Sequence, residues 1–352
     1  ALTWKRDITR PLAEVNAAES SLADHPSRGR ATTTLPEMRR GGVGLCLATL
    51  LVRAPTQSGP VFLPGDLDFR TSDMAYAIAR GQLAYYSRLV ERGELLVVRD
   101  RSGLDRHCDR WRNARGDSED LPVGAIIAME GSDGIVAPAQ VPHWHELGLR
   151  VASLVHYGRN AYAGGTGDDT PLSSAGRELL RAFEREGIIL DVTHLCDRSF
   201  DGALDAYGGP LLASHSNCRA LVPHDRQFTD EQIRRLLERG AVIGLAFDAW
   251  MLHPGWVRGK TTREVVSVEA VADHLDHIVS LAGDVTQVAI GSDLDGGYGT
   301  EQTPVGLDTI ADLAKLEDIF AKRGYSSEAI DAIFHGNWIR FFREHLPASS
   351  SS

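Results

Sequence analysis

The sequence predicts an α/β protein folded as a single (β/α)8 barrel. Three observations carry this reading. Short apolar, partly β-branched runs alternate with helix-like segments, the pattern of a parallel sheet covered by helices. Several of those runs close on a histidine or a carboxylate, so the polar chemistry collects at one end of the sheet. With 352 residues the chain has the length of one barrel-sized domain with a substantial core.

Residues 1–41 read as a polar N-terminal segment, helix-like from Ala13 to Ser21 and rich in turn formers from Ser20 to Thr34. The first core strand is the run from Val43 to Val52, followed by a Pro/Gly-rich loop from Pro55 to Gly65. Ser72 to Glu91 spaces Ala75, Ile78, Leu83 and Leu89 as a long helix does. The short strand Leu95–Val98 and the polar stretch Asp100–Asp120 read as peripheral. Ala125–Met129 leads to Glu130; Val141–Leu147 is helical; Gly148–Val155 leads to His156 and then to a glycine-rich loop, Tyr162–Asp169.

Ser174 to Glu186 is the clearest helix. Ser173 or Ser174 supplies its N-cap, Leu179, Leu180 and Phe183 share a face, and Gly187 stops it. Gly187–His194 and Pro210–His215 are then two buried strands joined by one crossover helix, which places both histidines at the same end of the sheet. Helices at Thr229–Arg239 and Val268–Ala282 flank the strands Ala241–Phe247 and Thr286–Ser292, the latter leading to Asp293. Helices in 309–352 close the chain and pack on the barrel. Seven core strands are counted, ending near Val52, Glu130, His156, His194, His215, Phe247 and Asp293. The eighth, the first in order, is missing before Val43, and a gap is expected between the Val43 and Asp293 strands.

Two histidines and two carboxylates at neighbouring strand ends point to a cation, because carboxylates buried without compensation are costly to desolvate. His194, His215, Glu130 and Asp293 suit zinc or a similar transition ion. Other groups read as ordinary structure. His143 and His145 lie in a helix rather than at a strand end, and His274 and His277 fall on a helix taken to be solvated. Asp66 and Asp68 are conceivable substitute ligands, and Gly164–Gly167 lacks the strand-to-helix setting of a phosphate loop.

The bulk numbers exclude several partners. The formal charge of −11 and the lack of a Lys/Arg cluster argue against nucleic acid. No apolar stretch reaches membrane-span length. The widely spaced Cys46, Cys108, Cys196 and Cys218 read as reduced thiols in a cytoplasmic protein.

Glu130-Gly131, His194, His215-Ser216 and Asp293-Leu294-Asp295-Gly296 together resemble the membrane (renal) dipeptidase family of zinc peptidases. The likeness extends through Leu172–Glu178, Asp273–Ile278 and Gly336–Phe342, and so from about Val43 to the C-terminus. The resemblance implies an amidohydrolase-like barrel with two zinc ions, bridged by a glutamate and a hydroxide. It implies hydrolysis of dipeptides, including some with a D-residue at the C-terminal position, and a homodimer. Carried across, Glu130 is the bridging ligand, and His194 and His215 complete one metal site. Asp293 belongs to the other and shuttles the proton, His156 polarises the substrate, and Arg226 receives its carboxylate. The family's Asp-Gly-His-x-Asp first strand does not occur before Val43, so the resemblance predicts an upstream strand carrying a His-x-Asp pair. Asp248 stands where many relatives carry an aromatic residue near the substrate. A zinc-dependent dipeptidase is the leading reading. The alternatives are a related barrel hydrolase acting on another amide or ester, and a metal-binding descendant impaired by loss of one zinc site.

Overall fold

The computed structural model describes residues 2, 4–56, 68–114 and 118–348. Eight parallel strands form its centre: β1 (Leu45–Leu51), β2 (Leu95–Val97), β3 (Val123–Glu130), β4 (Leu149–Ser153), β5 (Ile189–Asp191), β6 (Leu211–Leu212), β7 (Ile243–Leu245) and β8 (Val288–Ile290). Pairing runs β1-β3-β4-β5-β6, an isolated bridge between Ala213 and Ile243 carries the order on to β7, and β7 pairs with β8. Each of these crossovers is parallel, as helix-linked strands require. The strands are apolar on both faces: β3 alone buries Val123 and Ala125 to Met129.

The seven core strands of the sequence reading are all present. The short strand expected at Leu95–Val98 is β2, and by pairing Leu95 to Val97 with Val123 to Ala125 of β3 it joins the central sheet rather than the periphery. The stretch after it is no loose surface either. Helix Arg101–Asn113 buries His107, whose Nε2 lies 2.7 Å from the Gly44 carbonyl, and Trp111 donates to Pro122 O at 3.0 Å. Three residues of strand and a mostly polar helix leave little hydrophobic pattern to read.

Among the described residues, neither β1 nor β8 has a strand on its second edge. A cavity of about 730 Å³ is lined by Leu45, Leu47 and Thr49 of β1, by Ile290 of β8, and by His215 and Asp293 beyond the strand ends. The expected gap lies here.

The helices obey local rules. Ser173 Oγ accepts from Gly176 N at 2.9 Å to cap Ser174–Glu186, and Gly187 ends it at φ 69°, where a side chain would be strained. Thr229 and Gln232 form a capping box on Asp230–Glu238. The C-terminal region divides into Ile310–Ala314, Lys315–Lys322, Ser327–Asp331 and, after a π-helical turn at Ala332–Gly336, Asn337–His345. Asn337 ties this region to the barrel by donating to the Val285 and Val288 carbonyls. No helix among the described residues is long and apolar enough to cross a membrane.

Candidate metal centre and active site

Five of the six functional side chains follow their strands at a constant offset. Glu130 is the last residue of β3, while His156, His194, His215, Asp248 and Asp293 each stand three residues beyond β4, β5, β6, β7 and β8. Consecutive parallel strands therefore deliver six polar groups to one rim.

Glu130 Oε1 lies 3.2 Å from His194 Nε2, 3.4 Å from His215 Nε2 and 3.6 Å from His156 Nε2. His215 Nε2 is 3.9 Å from Asp293 Oδ2. One ligand atom from each of Glu130, His194 and His215 lies within 4.8 Å of the others. All three imidazoles are buried, and the His156 and His194 rings lie 4.1 Å apart.

The outer nitrogens of the two ligand-type histidines are occupied. His215 Nδ1 lies 2.8 Å from Ser214 Oγ, which donates in turn to Asp191 Oδ2 at 2.6 Å. His194 Nδ1 lies 3.1 Å from Thr166 Oγ1 of the glycine-rich loop. Both rings are thereby turned with Nε2 inward, the arrangement that outer hydrogen bonds give metal-ligating imidazoles. His194 adopts φ 70°, an uncommon conformation for a non-glycine residue, which aims its ring back into the site. Gly131 N donates to Ser153 Oγ at 2.7 Å and fixes the turn after Glu130.

The electrostatics show how much charge has been desolvated. Burial would raise the Glu130 carboxyl, but hydrogen bonds from His194 and His215, with the electrostatic pull of His156 and His215, hold it well below the usual range. Burial, with Arg226 and His156 nearby, holds His194 neutral. His156 is pushed down to about 3, again chiefly by burial, with Glu130 opposing. His215 moves up, because Asp293 and Glu130 outweigh its burial and the Arg226 charge. Asp293 rises to about 6 through burial and the Glu130 charge, against His215 and Arg226. Two imidazole nitrogens and a carboxylate converging in a buried space form a donor set that fits zinc.

Arg226 is buried. It donates to Ser216 Oγ and to His215 O, both at 2.8 Å, and lines the same cleft as His156, Asp248 and Asp293. Tyr157, Trp250 and Arg258 complete the cleft wall. Asp248 caps the short helix Ala249–Leu252, and both its oxygens accept from Gln302 Nε2 at 2.8 Å.

The remaining candidates lie elsewhere. Asp68 pairs with Arg53, and Asp66 lies outside the described residues. His143 sits 3.0 Å from an Arg80 nitrogen on helix Val141–Glu146. His274, expected on a solvated face, is instead 1% exposed and accepts from Cys218 N at 3.1 Å, while His277 pairs with Asp230. All four cysteines are free. Sequence reasoning missed Asp191, Ser214 and Thr166. Asp191 had a signal, since a carboxylate inside an apolar strand demands a partner just as Glu130 does.

The sequence profile of the membrane dipeptidase family, peptidase family M19, matches residues 9–351. The chain belongs to the membrane dipeptidase family. Among curated relatives, dipeptidase tcpJ of Claviceps purpurea is 31% identical over 255 residues, covering 68% of this chain and 57% of its own length. Dipeptidase aclJ of Aspergillus oryzae is 29% identical over 234 residues, 64% of this chain and 53% of its own. The chain thus spans little more than half the length of these relatives. Among solved structures, a metallopeptidase of Rhodobacter sphaeroides bound to a phosphinate mimic of the dipeptide L-Ala-D-Ala has 26% identity, covers 97% of both chains and has a TM-score of 0.75. A dipeptidase of family M19 has 27% identity, 96% coverage of both chains and the same TM-score. An amidohydrolase of Pseudomonas aeruginosa, at 18% identity and a TM-score of 0.69, shares the fold.

Proposed function

We propose that this membrane dipeptidase family member hydrolyses dipeptides at a zinc centre held by Glu130, His194 and His215. The observation that carries the reading is the convergence of these three donors within 4.8 Å, with the outward nitrogens of both imidazoles engaged by hydroxyls. When bound, zinc would lower the pKa of water and polarise the amide carbonyl.

The chain's own residues do the rest. Asp293 stands at the rim of the donor set, where its carboxylate can take a proton from the nucleophile and return it to the leaving amine. His156, held neutral by burial, has a protonated nitrogen to offer a developing oxyanion. The Arg226 guanidinium, fixed by Ser216 and His215 O, presents a planar cation to the substrate carboxylate. Asp248 is a second recognition group, a carboxyl on the wall of the same cleft.

The resemblance implies a second zinc, sharing Glu130 and using Asp293. Acceptance of a D-residue at the C-terminal position, a homodimer and a cytoplasmic location also belong to the proposal.

A panel of free and C-terminally amidated dipeptides, with zinc content measured beside turnover, tests it. Hydrolysis of the free dipeptides alone supports a dipeptidase using Arg226. Equal turnover of amidated substrates would favour a hydrolase of other amides, and zinc binding with no turnover an impaired descendant.

A further inference from the structure

Among its described residues the polar N-terminal segment has no strand and little apolar pattern, yet it contains a buried ion-pair network. Arg6, with a side chain 1% exposed, donates from Nε and Nη2 to the two oxygens of Glu19 at 3.0 and 2.9 Å, and from Nη2 to Ser27 O at 2.9 Å. Arg28 joins Glu19 at 2.8 Å and also donates to Trp4 O, and both guanidiniums lie over the Trp4 ring. Desolvating this much charge is costly, and it is tolerated only where nearly every group is paired.

The network ends on the loop that carries Asp293. Asp295 Oδ1 accepts from Thr32 N at 2.9 Å and from Thr32 Oγ1 at 3.1 Å, and Oδ2 accepts from Thr33 N at 3.3 Å. Arg6 Nη1 lies 3.4 Å from Asp295 Oδ1 as an ion pair without hydrogen-bond geometry. Further along, Thr300 N donates to Arg30 O at 2.9 Å. Residues 30–33 therefore grip this loop at two points, on either side of Gly296–Gly299.

The loop needs such a grip. Asp293 and Asp295 both adopt left-handed backbone, at φ 57° and 62°, which L side chains resist and which persists only when the surroundings impose it. Gly296 is required beside them, because a Cβ there would collide with the Asp293 carboxylate and backbone oxygen. Within the loop, Gly296 N donates to Asp293 O at 2.9 Å, Tyr298 Oη to Ser292 O at 3.2 Å and Gly299 N to Glu301 Oε1 at 3.0 Å, and none of these holds the Asp295 carboxylate.

We propose that Asp295, clasped by Thr32, Thr33 and Arg6, is a positioning residue that fixes the turn presenting Asp293 to the site. The catalytic consequence rests on the dipeptidase reading above; the clasp itself does not. Without the clasp, Asp293 loses the backbone conformation that aims its carboxylate, and small misplacements of a proton carrier lower turnover steeply.

The test uses the zinc-loaded full chain with the variants Asp295→Ala, Asp295→Asn and Thr32→Val. Asp295→Ala lowers kcat about tenfold or more with KM unchanged and the zinc held by Glu130, His194 and His215 retained. Asp295→Asn, whose amide oxygen still accepts from Thr32 N, recovers most of the loss, and Thr32→Val falls between. Hydrogen exchange of the amides in 294–299 speeds up in Asp295→Ala, while those of β5 and β6 do not change. Unchanged kcat and exchange in Asp295→Ala would overturn the proposal, as would losses of kcat and thermal stability together with no recovery in Asp295→Asn. If Asp295→Ala does not fold, Thr32→Val carries the same exchange test. A wild-type chain that hydrolyses no dipeptide defeats the functional reading, and the exchange of 294–299 in the variants still decides the clasp.

Discussion

Asp248→Asn should stabilise the metal-free protein, and only above mildly acid pH. Asp248 is 5% exposed, and its carboxyl is pushed from 3.8 to about 7, first by burial and further by the Asp293 charge, against Arg258, Gln302 and the Trp250 amide. The folded state thus binds this proton more tightly than the unfolded chain. Below pH 3.8 the group is protonated in both states and contributes nothing. As pH rises towards 7 the unfolded chain releases the proton first, so stability falls by about 1.4 kcal/mol per pH unit and then levels off. The difference between 3.8 and about 7 sets the full loss on the order of 4 kcal/mol. This is a large share of the roughly 5–15 kcal/mol that holds most domains folded. Asparagine keeps an oxygen for Gln302 Nε2 and the Trp250 amide but carries no charge. Urea unfolding of chelator-treated wild type and variant at pH 4, 5, 6, 7 and 8 should show a gain near zero at pH 4 that grows to its plateau above pH 7. A gain independent of pH, or none at pH 8, would refute the argument. If the gain is found, stability has been given up to keep a charged group on the cleft wall, and dipeptide selectivity of the variant should change.

Three further outcomes are expected. His215→Ala should weaken zinc binding by at least about a hundredfold and abolish turnover, read by equilibrium dialysis and a dipeptide assay; retained metal with retained activity would remove His215 from the centre. Arg226→Ala should raise KM for free dipeptides about tenfold or more at unchanged zinc content, and unchanged kinetics would take Arg226 out of substrate binding. His274 is pushed down to about 4, mainly by burial, so it contributes stability above pH 6.5 that is lost as pH falls towards 4, roughly 3 kcal/mol in all. His274→Gln should flatten that acid arm in unfolding curves, and an unaltered arm would assign it to other groups.

The barrel and its polar rim were legible in the sequence because strand ends are marked twice. An apolar run needs no partner to be recognised, and a histidine or carboxylate three residues past its end is conspicuous, as at His194, His215 and Asp293. What was not legible was hidden in different ways. His274 belongs to a stripe with Val271, Leu275 and Ile278, spaced as the buried face of a helix, so its place outweighs its polar type. The N-terminal segment concealed its role because Arg6, Glu19 and Arg28 are buried by pairing with each other, which leaves no hydrophobic period. Thr166 reaches His194 from a loop far away in sequence, a contact that no local pattern encodes.

The central claim is that Glu130, His194 and His215 hold the catalytic metal. Anomalous diffraction from zinc-loaded crystals tests it most directly. The account predicts a peak about 2 Å from Nε2 of His194, Nε2 of His215 and a Glu130 carboxylate oxygen. A zinc peak ligated by His143 or His145, with none at Glu130 in an active enzyme, would contradict it.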